Sequence, residues 1–137
     1  MSIATGTVTS GTVGNITLKP NNITALTVDL NGHMFFSQGG LQTAAPTVTA
    51  GCGTSPTVTG NDSAFVLNVG TGAPGTTCTI TFNKAWGTAP HCFTTDQTAS
   101  ATVITSATPG TSTVVLNTPN AWAASAKIDV MCIGHAT

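Results

Sequence analysis

Apolar and small polar residues alternate along this chain with a period of two, in short segments set off by Gly, Pro or Asn. That is the mark of half-buried β-strands. Ile16 and Leu18 flank Thr17, and Leu26, Val28 and Leu30 alternate with Thr27 and Asp29. Asn31-Gly32 follows and leads into Met34 and Phe36, which predicts a tight hairpin. Phe65, Leu67 and Val69 share one face, with Val66 and Asn68 on the other. Cys78, Ile80 and Phe82 alternate with Thr79 and Thr81. Val114 and Leu116 form a shorter pair, and Ile128, Val130 and Cys132 alternate with Asp129 and Met131. No comparable stretch has a 3.6-residue period. The helical patch at residues 121–126 is short and follows Pro119, so it predicts a single turn at most.

The texture changes near residue 45. On the N-terminal side, stretches such as Thr5-Gly6-Thr7-Val8-Thr9 are repetitive and thin in large apolar groups, whereas all four cysteines and both tryptophans come after Pro46. The expected organisation is an N-terminal β arm or shaft over residues 1–45 and a compact β-domain over residues 46–137. The fold class is all-β, an extended arm followed by an antiparallel β-sandwich or jelly-roll-like domain. An arm this thin cannot bury a face of its own, so it is expected to pack on copies of itself or on a partner.

Composition supports the strands and narrows the function. About a fifth of the 137 residues are Thr, and 40% are hydrophobic, mostly Val, Ile, Ala and Leu. β-branched side chains suit a pleated surface. Only 5% are charged: Lys19, Lys84, Lys127, Asp29, Asp62, Asp96 and Asp129, with no Arg, Glu or Tyr. A net charge of −1 gives no cation cluster for phosphates, so neither nucleic acid nor an anionic membrane surface is an expected partner. No apolar run approaches the length of a membrane-spanning helix. The first residues lack the basic and apolar regions of a signal peptide, so no export signal is expected.

Cys52, Cys78, Cys92 and Cys132 include no CxxC pair, which argues against zinc. Four cysteines allow three connectivities. Cys92 begins one strand and Cys132 ends another, which favours Cys92–Cys132 with Cys52–Cys78. Four buried free thiols are the alternative, because a free cysteine packs as a small hydrophobe.

Few residues offer chemistry. His33, His91 and His135 are dispersed, so no metal or other cofactor is expected, although a trimer axis could gather three copies of one His. Asp29, Asp62 and Asp96 sit in turn-like contexts, where a carboxylate bonds its own backbone. That reading outweighs a paired-carboxylate hydrolase. No GxSxG elbow supports a nucleophile, and Gly70-Thr71-Gly72-Ala73-Pro74-Gly75 lacks the ending of a phosphate loop. No catalytic residue is expected. Trp86 and Trp122 could stack on a sugar, but a lone Trp on a β-domain loop more often caps the core.

Two stretches carry a resemblance. Residues 15–32, with Asn15-Ile16-Thr17-Leu18-Lys19-Pro20-Asn21-Asn22-Ile23-Thr24, resemble the shaft sequences of tailed-bacteriophage fibre and appendage proteins. The features Cys52-Gly53-Thr54-Ser55-Pro56, Gly60-Asn61-Asp62, Cys78-Thr79-Ile80-Thr81-Phe82, Trp86, Pro90-His91-Cys92 and Cys132-Ile133-Gly134 resemble a β-rich domain that ends many phage structural proteins. The resemblance implies a virion protein, a homotrimer, with no catalytic residues. Length then favours a capsid decoration (cement or head-fibre) protein whose partner is the major capsid protein or another virion protein. A short tail fibre or receptor-binding tip is the alternative. A carbohydrate-binding module contacting a host-surface glycan through Trp86 or Trp122 is a third reading.

Overall fold

The structure, a computed structural model, describes residues 44–98 and 105–134, and in the preceding stretch the strands β1 (Ile16–Leu18), β2 (Leu26–Val28) and β3 (Met34–Phe36). Lys19, Asp29, the Asn31-Gly32 turn, His33 and His135 lie outside the described residues. The chain divides into two units, Met1–Gly39 and Gly40–Thr137. In the first, β1, β2 and β3 form an antiparallel sheet in that order. Val28 stands opposite Met34 in the antiparallel β2–β3 ladder.

The second unit contains β4 (Thr47–Ala50), β5 (Thr57–Asn61), β6 (Ala64–Asn68), β7 (Thr77–Thr81), β8 (His91–Asp96), β9 (Ser106–Pro109), β10 (Thr113–Asn117) and β11 (Lys127–Ile133). They form two antiparallel sheets of four strands, ordered β4-β7-β10-β9 and β5-β6-β11-β8. No helix occurs among the described residues. Only β5–β6 and β9–β10 are hairpin neighbours in one sheet, and every other connection in this unit passes to the opposite sheet. The unit is therefore a β-sandwich closed by repeated crossings over one core.

That core follows from the alternation. Phe65 and Leu67 of β6 and Ile128, Val130 and Cys132 of β11 point inward from one sheet. Cys78 and Ile80 of β7 and Val114 and Leu116 of β10 meet them from the other. Each fully buried aliphatic side chain stabilises the fold by roughly 1.5–3 kcal/mol. The four central strands supply most of this cluster, while the edge strands add only partly buried groups such as Val48, Val58, Cys92 and Ala107.

Two polar devices hold the β5–β6 end of the sandwich. Asn61 Oδ1 accepts the backbone N–H groups of Ser63 (2.9 Å) and Ala64 (3.1 Å), closing the β5–β6 turn. Gly60, at φ +123°, precedes it, and a Cβ there would stand 2.3 Å from the Ala64 carbonyl oxygen. The sequence context predicts that Asp62 bonds within its own turn, but it does something else. Fully buried, it accepts the backbone N–H groups of Asn83 and Lys84, one on each carboxylate oxygen, both at 2.8 Å. It thus ties the β5–β6 turn of one sheet to the segment that leaves β7 of the other. Its neighbour Asn61 makes the local turn bonds, which leaves Asp62 to reach across. Asp96 does behave as a turn carboxylate, accepting the Thr98 N–H at 2.7 Å.

The 121–126 patch forms no helix. A single turn is closed by the Ala126 N–H on the Ala123 carbonyl (3.2 Å), with Ser125 at φ +62°.

Candidate functional site

The outward positions of each sheet decide what the domain can touch. On β4-β7-β10-β9 the ladder places Thr47, Thr81 and Thr113 in one row. The next row holds Thr79, Val115 and Thr108. These hydroxyls bond one another and the backbone. Thr81 Oγ1 lies 3.4 Å from Thr49 Oγ1, Thr49 Oγ1 donates to the Thr79 carbonyl (3.2 Å), and Asn117 Nδ2 donates to Thr108 Oγ1 (3.2 Å). This face is plated with Thr side chains.

The outer face of β5-β6-β11-β8 is different. Ala64, Met131 and Phe93 stand in one row, and Ile133 lies two residues beyond Met131 on the same side. Phe93 is 62% exposed, Ile133 50% and Met131 46%. A cleft of about 530 Å³ opens beside them, lined by Thr59, Gly60, Ala64, Val66, Phe93 and Met131 among others. The row of Thr59, Val66, Asp129 and Thr95 crosses the sheet at its middle. Asp129 Oδ2 accepts a hydrogen bond from Gln97 Nε2 at 2.6 Å. Large apolar groups standing together in water on one sheet face mark an interaction surface more than isolated exposed residues do.

Each sheet carries one disulfide, and neither bridge links the two sheets. Cys52, immediately beyond β4, is bonded to Cys78 of β7 with Cα atoms 4.8 Å apart. Gly51 at φ +80° permits that approach, since a Cβ there would collide with the Thr77 carbonyl oxygen. Cys92 of β8 is bonded to Cys132 of β11, directly opposite in the ladder, with Cα atoms 4.1 Å apart. Such close pairs occur at non-hydrogen-bonded positions of antiparallel ladders. Each bridge ties an edge-side segment to a central strand, and Cys92–Cys132 lies under the Phe93–Met131 stripe.

The tryptophans separate. Trp122 is 3% exposed and belongs to the core, so it offers no face to a sugar. Trp86 is half-buried, with Phe82 edge-on at a centroid distance of 6.0 Å. Gly134 lies against its ring, where a Cβ would be 3.0 Å from Cζ3, and its indole N–H is covered and makes no hydrogen bond. Among the described residues, no group of three or more His, Cys, Asp or Glu is arranged to hold a metal. His91 is exposed and stands opposite Ile133 in the ladder. No helix among the described residues is long and apolar enough to cross a membrane.

The outer stripe is the feature that sequence reasoning missed. Phe93, Met131 and Ile133 fall on the outward side of alternations whose inward members form the core. The signal was present in Met131 and Ile133, large apolar residues at positions where the opposite sheet places Thr. The chain matches no family model, no curated protein and no solved structure.

Proposed function

We propose that this chain is a non-enzymatic structural protein of a tailed-bacteriophage virion, a homotrimeric capsid decoration protein displayed on the shell. The observation that carries this reading is the chemical asymmetry of the sandwich. One outer face is plated with Thr and suits permanent exposure, while the other presents Phe93, Met131 and Ile133 for burial in an assembly. The supporting frame suits a durable coat: two bridges, one buried core, and few long charged side chains. The sequence resemblance supplies the virion context, and the thin N-terminal segment supplies the expected trimer contact. Imaging the parent particle tests the proposal. Hundreds of copies on the head in three-fold clusters are expected. A few copies confined to the tail, or absence from the particle, would refute it.

A further inference from the structure

We infer that the Cys92–Cys132 bridge is a redox latch, one that a small dithiol opens while the sandwich stays folded, whereas Cys52–Cys78 opens only when the fold does. The latch depends on the sandwich alone and not on the virion assignment.

The two bridges are placed differently. Cys52 and Cys78 are both buried, and Cys78 lies on β7, between β4 and β10. Backbone bonds also tie down the chain around Cys52. Its carbonyl accepts the Gly70 N–H (2.8 Å), the Gly51 carbonyl accepts the Gly75 N–H (3.2 Å), and Thr54 and Thr71 exchange two bonds (2.6 and 2.9 Å). An attacking thiolate must reach a sulfur, so this bridge is shielded until these segments separate. Cys132 is buried as well, but Cys92 is only half-buried, alone among the four cysteines. It lies on β8, an edge strand paired with β11 alone among the described strands. Farther along, Thr94 Oγ1 donates to the Thr105 carbonyl (2.6 Å) and the Gln97 N–H to the Lys127 carbonyl (2.8 Å). The Cys92 end of β8 can therefore part from β11 while the Gln97 end stays docked. Such an edge opening costs less than separating central strands.

The exchange runs in two steps. One thiolate of the dithiol attacks Cys92 Sγ, forming a mixed disulfide there. The Cys92–Cys132 bond breaks, and its electron pair leaves on Cys132 Sγ, which takes a proton. The second thiolate then attacks the reagent's own sulfur in the mixed disulfide. The reagent departs as a cyclic disulfide, and Cys92 leaves as a thiolate and takes the second proton. Two electrons and two protons pass to the protein, and the dithiol is oxidised. The latch bears on the apolar stripe because Phe93 follows Cys92 directly and Met131 and Ile133 flank Cys132. Closed, the bridge fixes the strands that carry these side chains against each other. Open, it lets the Phe93 end of β8 move away from Met131. A reducing compartment thus leaves this end of the face loose, and an oxidising one sets it.

Reduction of the native full-length protein by dithiothreitol, quenched at intervals with N-ethylmaleimide and read by peptide mass spectrometry, is the test. Cys92 and Cys132 should be labelled at least about tenfold faster than Cys52 and Cys78, because one pair needs a local opening and the other a global one. Guanidinium below the unfolding transition should speed labelling of Cys52 and Cys78 steeply, and that of Cys92 and Cys132 little, since its effect scales with the surface an opening exposes. With only Cys92–Cys132 open, a cooperative thermal unfolding transition should persist, and amide exchange should rise more at Phe93 than at Gln97. Equal labelling rates, or Cys52–Cys78 opening first, overturns the inference. So does loss of the cooperative transition as Cys92–Cys132 opens, or an exchange rise no larger at Phe93 than at Gln97. Absence of the protein from a particle overturns the preceding proposal and leaves this one standing.

Discussion

The β4-β7-β10-β9 sheet turns Thr47, Thr81 and Thr113 to solvent in one row, whereas the β5-β6-β11-β8 sheet turns Ala64, Met131 and Phe93 outward in one of its own rows. Both sheets share the inward alternation and one core. The difference lies entirely in the outward positions, which the core leaves unconstrained. Thr keeps the β-branched fit to a pleated strand and adds a hydroxyl that bonds its neighbours. Phe93, Met131 and Ile133 keep the strand and give up hydration, which is favourable only when another surface displaces the water. In a chain with so few charges, the choice between Thr and a large apolar group on the outside is the main means of distinguishing one face from another.

The largest expected effect comes from removing the bridge under the apolar stripe. Cys92 and Cys132 are 40 residues apart, and Cys52 and Cys78 are 26 apart. Loop-closure entropy assigns about 4 kcal/mol to the longer loop and about 3.5 kcal/mol to the shorter. Replacing Cys92 and Cys132 by Ala should lower guanidinium-unfolding stability by up to that amount, and should raise amide exchange in β8 ahead of the Thr-plated sheet. The Cys52/Cys78 double Ala variant should show the reverse order of exchange. Uniform exchange in both variants would mean that the sheets are not separately stapled.

Next in size is the clamp that joins the two sheets. Asp62→Ala leaves two backbone N–H groups without an acceptor and should cost about 2–3 kcal/mol. Asp62→Asn should rescue little, because its NH₂ would face an N–H donor that the carboxylate accepts. The same loop carries Lys84, one of only three lysines in an arginine-free chain. Native protein should therefore resist trypsin, and Asp62→Ala should open the Lys84–Ala85 bond to cleavage. Rapid cutting at Lys84 in the unmodified protein would show that the clamp does not order this loop.

The part of the fold that was legible in the sequence maps onto strand position. The alternations at Phe65/Leu67, Cys78/Ile80, Val114/Leu116 and Ile128/Val130 are β6, β7, β10 and β11, the four central strands. A central strand buries a full row of large side chains, so its period shows. The edge strands β4, β5 and β9 read Thr-Val-Thr-Ala, Thr-Val-Thr-Gly-Asn and Ser-Ala-Thr-Pro, with at most one or two small inward groups. Their pairing is set by the neighbour's backbone more than by their own pattern, and they carry no hydrophobic signature. Only Cys92 hinted at β8. Asp62 was readable as a turn residue but not as a long-range clamp, because its partners are backbone amides about twenty positions away, which no motif encodes. The apolar face was hidden for a related reason. Period-two reasoning assigns one side of a strand to the core and passes over the other, where Met131 and Ile133 stand.

The smallest expected effects isolate the two faces themselves. Phe93→Ser and Met131→Ser alter groups that are already largely in water, so each should change unfolding stability by within about 0.5 kcal/mol. Val115→Thr would extend the Thr plating by one position and should be equally mild. The faces should differ instead in how they bind an apolar fluorescent dye. The native protein should bind it at the stripe, Phe93→Ser with Met131→Ser together should abolish that binding, and Val115→Thr should leave it intact. Nearly unchanged stability combined with lost dye binding would separate surface chemistry from folding. A stability loss above about 1.5 kcal/mol on Phe93→Ser would instead mean that the ring packs as part of the fold, since a solvent-facing ring has little burial to lose. The contrast between the faces would then be one of packing, and the stripe would not be a surface held ready for a partner.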